Sequence, residues 1–271
     1  MSFFKHIYNS FHFFYKQKKI FLTLIMRDFE SRYLSSYLGL PWAFIQPALY
    51  IFIIWFAFTF GLRAGHTASG LPYAPWLILA IIPWMFISQT MIASSNSIFE
   101  YSYIIKKTKF PITLIPIIKI FSGIIVHFIL MVVITIILIL FYNIKPSVYW
   151  LQFFYYLFAN IVLLSGISLL VASINVFIQD MAHIVNILVS LLFWATPIVY
   201  PYSMLSGKLR YIALLNPFFY ITEGYRYTFL EHIWFYKYTE MNIYFWTFTL
   251  LILFLGTFTF HKLKQNFIDY L

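Results

Sequence analysis

Cysteine is absent from the 271 residues, which removes disulfides, thiol nucleophiles and thiolate metal sites and leaves the redox compartment unreadable. Charge is scarce as well: Asp, Glu, Lys and Arg make up 10% of the chain, and only 8 residues are acidic. Glu223 and Glu231 come nearest to a glycosidase-like carboxylate pair, yet nothing in their spacing makes them converge. Phosphate loops are missing too. No G-x-x-x-x-G-K-[ST] occurs, and GLRAGHTASG over residues 61–70 has no Lys-Ser/Thr to hold nucleotide and Mg²⁺, so the chain is not expected to hydrolyse ATP itself. The 7 His are scattered without H-E-x-x-H, and no metal site is expected. His127, inside an apolar stretch, reads as a neutral His hydrogen-bonded within a bundle.

What is present is apolar surface. With 62% hydrophobic residues and a mean hydropathy of +0.84, the chain cannot hide its side chains inside one soluble globule. Because a charge at mid-bilayer costs at least about 2.5 kcal/mol, the charged residues act as rulers. The intervals Arg32 to Arg63, Arg63 to Glu100, Lys119 to Lys145, Lys145 to Asp180, Asp180 to Lys208 and Glu240 to Lys262 contain no charge. Each holds one spanning helix of about 20 residues. The expected spans are residues 38–62, 75–98, 112–142, 150–177, 182–200 and 242–260.

Orientation follows from Lys and Arg, which cytoplasmic flanks retain. Lys5, Lys16, Lys18, Lys19, Arg27, Arg32, Lys106, Lys107, Lys109, Lys119, Lys262 and Lys264 fall on one side. Arg63, Lys145, Lys208, Arg210, Arg226 and Lys237 fall on the other. The larger set puts both termini in the cytoplasm and makes the net charge of +10 an orientation signal rather than a nucleic-acid patch. No cleavable signal peptide is evident. Phe3, Ile7, Phe11 and Phe14 recur at helical spacing opposite Lys5, Asn9, His12 and Lys16, the pattern of an amphipathic helix along the membrane surface.

Two connections have a form of their own. Residues 100–110 are expected to hold a short cytoplasmic helix. Residues 201–241 are too apolar for a solvated loop but are broken by proline, so residues 205–215 and 218–230 are expected as two short helices dipping into the outer leaflet. Asn216-Pro217 is their turn, and Glu223 and Arg226, spaced i,i+3, pair on one face.

RDFESRYLSSYLGLPWAFIQP over residues 27–47 opens with charge at the edge of the first span. Arg27-Asp28, Arg32-Tyr33, Ser36, Leu38-Gly39, Trp42 and Pro47 resemble the opening signature of the type-2 ABC export permeases of lipid-linked polysaccharide and teichoic acid. KKTKFPITLIP (106–116), INVFIQD (174–180), FWATPIVY (193–200), LNPFFYITEGYR (215–226) and HKLKQNFIDYL (261–271) resemble later stretches of that family, in order. Gln179 departs from it, since many relatives carry Arg there.

The resemblance implies an all-α integral membrane protein. Residues 1–36 form a cytoplasmic amphipathic segment, 37–262 a six-span domain with a re-entrant external hairpin, and 263–271 a cytoplasmic tail. It implies a permease exporting a lipid-linked polysaccharide such as O-antigen, capsule or teichoic acid across the bacterial inner membrane. The partners are two copies of a separate ATPase, which bind ATP and Mg²⁺, and a second copy of the chain; no nucleic acid is involved. Arg27, Arg32, Tyr33 and Trp42 are implied to meet the lipid headgroup. Gln46, Tyr50, Trp55, Phe193, Trp194 and Tyr200 are implied to line the path, where aromatic faces suit sugar rings and Gln46, Asn186 and Thr196 supply hydrogen bonds. Glu100, Lys106, Lys107 and Lys109 are implied to couple to the ATPase, and Asp28 and Glu30 either to contact it or to act as partners on their own helix face. Asn216, Pro217, Glu223 and Arg226 form an external gate. The alternatives are an ion-coupled carrier, which should show paired intramembrane carboxylates or an inverted repeat, and a membrane glycosyl- or acyltransferase.

Overall fold

The computed structural model describes residues 18–33, 37–61, 70–107 and 110–271. The expected helix around Phe3 to Phe14, Arg63 and Lys109 lie outside them. Helices follow one another along the described chain: α1 (Lys18–Ser31), α2 (Trp42–Phe56, prolonged by a π turn Ala57–Gly61), α3 (Tyr73–Ser95), α4 (Ser97–Glu100), α5 (Ser102–Lys107) and α6 (Leu114–Tyr142). Then come α7 (Gln152–Asn175), α8 (Met181–Ala195), α9 (Gly207–Leu214), α10 (Pro217–Arg226, continued by a π turn Tyr227–Glu231), α11 (Thr239–Leu263) and α12 (Phe267–Tyr270).

Five of these stretches are long and apolar enough to cross a membrane: Trp42–Gly61, Tyr73–Ser95, Leu114–Tyr142, Val148–Asn175 and Thr239–Tyr270. The apolar α8 has 15 residues, a length of about 22 Å at 1.5 Å per residue. Its early end corrects the expected extension to residue 200. Thr196 adopts an extended conformation (φ −93, ψ 130) because it precedes Pro197, whose ring disfavours helix in the residue before it.

α3 is the centre of the bundle. Leu77, Leu79, Ala80, Ile81 and Ile87 are fully buried, and the helix packs against α6, α7, α8 and α10. α7 and α11 meet backbone to backbone at two glycines. A Cβ on Gly166 would stand 2.7 Å from Leu253 Cα, and one on Gly256 would collide with the Gly166 carbonyl. Small residues at a crossing allow such approach where lipid gives no hydrophobic drive between helices. α2 is the opposite case: it buries only Ala43 and Pro47, and Leu49, Phe52, Ile53, Phe56 and Phe60 are exposed. In lipid, that apolar exterior is at no disadvantage.

α1 lies against α6. Phe21, Ile25, Asp28 and Phe29 recur on one helical face and are buried, with Leu114 and Ile118 beneath and Phe121 edge-on to Phe21 at 5.8 Å. At the same end of the bundle residues 263–271, expected as a tail, fold back: Phe267 packs on Phe260 at 5.4 Å and on Phe177 at 6.0 Å.

Candidate functional site

Gln46, Tyr50, Ile54 and Phe58 recur every fourth residue and therefore share one face of α2 and its π extension. That face looks across a groove at Trp84, Ser88 and Gln89 of α3 and at Ser190, Phe193 and Trp194 of α8. The groove encloses about 520 Å³. Its aromatic wall is continuous, with the Trp84 ring 6.0 Å from Phe193 and Phe193 edge-on to Trp194 at 5.2 Å. Beside that wall lie the Gln46 and Gln89 amides and the Tyr50, Ser88 and Ser190 hydroxyls, and every lining residue is uncharged. One side is open: Tyr50 is 38% and Trp194 61% exposed.

Gln46, Tyr50, Phe193 and Trp194 are thus brought together, and two expected path residues are placed elsewhere. Trp55 follows Ile54 by one position, a rotation of about 100°, and with Ile51, Phe52, Ile78, Leu130 and Ile137 lines a separate apolar groove of about 290 Å³. Tyr200 lies beyond the end of α8, where its hydroxyl donates to the Trp194 carbonyl at 2.6 Å instead of facing the groove. Asn186 is exposed and hydrogen-bonds Ala182 O at 2.8 Å, one turn before Ser190. Thr196 is buried and accepts from Asn216 Nδ2 at 2.7 Å, bracing the hairpin. Trp84, Ser88, Gln89 and Ser190 were not anticipated. Gln89 carried the same signal as Gln46, an amide inside a charge-free interval.

At the α1 end, Asp28 turns inward. Its Oδ1 accepts from Lys119 Nζ at 2.5 Å and Tyr101 OH at 3.1 Å; its Oδ2 accepts from Arg32 Nη2 at 2.8 Å and Ser122 Oγ at 2.5 Å. Lys119 also pairs with Glu100. Burial opposes ionisation of Asp28, but the Arg32 and Lys119 charges and the donated hydrogen bonds outweigh it and hold the carboxyl below the usual carboxylate range. Both Asp28 oxygens are thus occupied within the fold, and its pairing with Arg32 four residues on is the helix-face partnership expected as one of its two roles. Arg27, Lys106 and Lys107 are exposed, Glu30 is half-buried, and Lys107 bends over the Tyr103 ring, 4.2 Å from its centre. Tyr33 packs edge-on to Phe29 at 5.6 Å, and Trp42 begins α2 with 37% exposure.

At the other end, two short helices, α9 and α10, flank Asn216-Pro217. Asn216 caps α10 by accepting from Phe218 N at 3.0 Å, and Pro217 occupies the first turn, where a missing N–H costs nothing. Glu223 and Arg226 pair at 2.6 Å. Arg226 is fully buried, and its remaining donors reach Trp76 O at 3.1 Å, Pro197 O at 2.9 Å and Ile198 O at 2.7 Å. A buried guanidinium so saturated ties α10 to α3 and to the segment after α8. Gly224 is required beside it, because a Cβ there would overlap the Tyr156 ring.

Comparison with known proteins places these features. The chain is 28% identical over 257 residues to an O-antigen export system permease protein RfbA of Klebsiella pneumoniae, covering 93% of this chain and 95% of that one. A second from Klebsiella pneumoniae is 27% identical over the same length, and one from Myxococcus xanthus is 26% identical over 221 residues, covering 80% of this chain and 83% of that one. The ABC-2 type transporter family profile matches residues 19–230, from α1 through the hairpin and its buried arginine, and the chain belongs to that family.

Proposed function

We propose that the chain is the membrane permease of an ABC exporter that carries a lipid-linked polysaccharide across the bacterial inner membrane, powered by ATPase subunits that bind the ATP and Mg²⁺. The groove of α2, α3 and α8 carries this reading. Aromatic faces stack on the C–H faces of sugars, while Gln46, Ser88, Gln89 and Ser190 offer hydrogen bonds to hydroxyls without the cost of a charge in the membrane. Its open side suits closure by a second copy of the chain, each copy supplying half a path. The relatives' names, which specify O-antigen export, support the polymer class; a teichoic acid has the same chemistry of sugars or polyols on a lipid phosphate.

In this reading α8 is a sixth, short span, and both termini, α1, α4 and α5 are cytoplasmic. The α5 helix with Lys106 and Lys107 docks into a cleft of the ATPase. Glu30 and Glu100 are further coupling residues in this reading, Glu100 with its side chain 50% exposed. Arg27 and Arg32 meet the phosphate of the lipid carrier with Tyr33 and Trp42 at its edge, and the hairpin of Asn216, Pro217, Glu223 and Arg226 roofs the exit. An uncharged groove favours this reading over an ion-coupled carrier, which needs titratable groups along its path. The test is deletion of the gene: completed lipid-linked polymer should accumulate on the cytoplasmic leaflet and be cleared by the wild-type copy. Polymer that reaches the surface normally in the deletion strain would refute the proposal.

A further inference from the structure

Asp28 is the point at which three elements meet. It belongs to α1, accepts from Lys119 and Ser122 of α6, and accepts from Tyr101, the single non-helical residue between α4 and α5. Glu100, the last residue of α4, shares Lys119. Two acids and two bases therefore balance in one cluster, with Lys119 also 5.2 Å from the centre of the Tyr101 ring. Of the two cations Arg32 is the one nearer water: its side chain is 22% exposed, against 5% for Lys119, while Asp28 is 2% and Glu100 50% exposed. Arg32 commits only Nη2 to Asp28 and Ser122, and among the described residues Nε and Nη1 have no acceptor. A guanidinium held by one nitrogen presents the other two as a fork suited to an oxyanion.

We infer that Asp28 is a positioning residue through which a lipid-linked diphosphate arriving at Arg32 resets the hinge at Tyr101 and so the ATPase-docking helix α5. The inference rests on the proposed headgroup role of Arg32 and docking role of α5. A diphosphate on the outer fork of Arg32 competes with Asp28 for the same cation. Asp28 then leans on its other donors, Lys119 and Tyr101, and Lys119 loosens from Glu100. Both residues that lead into α5 feel the change, because Glu100 loses part of its partner and Tyr101 is held by the carboxylate itself. The cluster thus links substrate arrival at the membrane surface to the element that touches the motor, and it is reciprocal: a shift of α5 driven by nucleotide alters the grip of Arg32 on its anion.

The experiment uses the permease with its ATPase in vesicles of constant phosphatidylglycerol content, with and without a polyprenyl diphosphate. The readout is the ratio of stimulated to unstimulated ATP turnover, with co-purification of the two subunits scored in parallel. The parent should be stimulated. Lys119→Met with Asp28→Asn, which removes both buried charges together and leaves neither unpaired, should lower the stimulation at least about fivefold, whereas Lys119→Arg with Asp28 intact, which keeps the charge pair, should retain much of it. Tyr101→Phe, which deletes one hydroxyl and leaves the ring, should lower stimulation in a complex that still co-purifies. If Tyr101→Phe and the paired variant are stimulated like the parent while Arg32→Gln is not, the relay is refuted and the headgroup role of Arg32 stands. If Arg32→Gln is stimulated like the parent, the headgroup role falls and takes the inference with it.

Discussion

The guanidinium carbon of Arg226 lies 3.4 Å from the ring centre of Trp76, and Arg226 Nε donates to the backbone carbonyl of the same tryptophan. One residue of α10 thus grips one residue of α3 by both its face and its main chain. The hairpin is therefore not a loose flap: α10 moves only with α3 and with the Pro197–Ile198 carbonyls. Any opening at this end is expected in α9, which buries only Ala213.

Replacing Arg226 with Gln strands Glu223 and three carbonyls, and the cost of breaking such a buried pair is about 3–5 kcal/mol. Lys should fare little better, because a single ammonium cannot reach acceptors arranged around a planar fork. Glu223→Gln should cost less, and the double change less than the sum of the singles. Thermal stability of the purified protein checks the order. An Arg226→Gln variant as stable as the parent would show that the staple contributes nothing.

The groove makes a contrast between neighbours on one helix. Tyr50→Leu and Trp194→Leu remove ring faces from the open side and should lower export roughly two- to tenfold, the equivalent of a stacking contact, with membrane levels unchanged. Trp55→Leu, on the far side of α2, should leave export near the parental rate. Surface polymer, measured against membrane-inserted permease, separates the two sets.

At the α7–α11 crossing, Gly166→Leu drives a side chain into the Leu253 backbone and should prevent assembly. Gly166→Ala should destabilise by about 1–3 kcal/mol as the helices separate by a fraction of an ångström. Gly61, where nothing among the described residues stands within 4 Å of an added Cβ, is the control: Gly61→Ala should be close to neutral.

Topology is open to a direct test because the chain has no cysteine of its own. Single cysteines at Ser2, Ser206 and Asn266 with an impermeant maleimide on intact cells should give labelling at Ser206 alone. Labelling at Ser2 or Asn266 would reverse the orientation.

Charge-free intervals located the five long apolar helices because a charge in hydrocarbon is expensive enough to be kept out of such a stretch. They could not place the end of α8, which is set by Pro197 and not by a charge. The pairing of Glu223 with Arg226 was legible from i,i+3 spacing; the three carbonyls that complete Arg226 were not, because they come from segments far away in sequence. Gln46 and Tyr50 could be placed on one face by period alone. That Trp55 lines a different groove from Tyr50 was not legible, because aromatic character says nothing about azimuth on a helix whose neighbours are unknown. Asp28 looked like a surface charge for the same reason: its partners Tyr101, Lys119 and Ser122 lie some 70 to 95 positions away.

The shortness of α8 changes what a permeating chain must overcome. At about 22 Å, the helix stops well short of the roughly 30 Å of hydrocarbon, and beyond it stand Thr196, Asn216 and the Glu223–Arg226 pair. On the path proposed above, the dehydrated stretch beside α8 is then thinner than the bilayer itself, and each sugar entering it gives up water over fewer ångströms, so geometry lowers the barrier per repeat before any nucleotide is consumed.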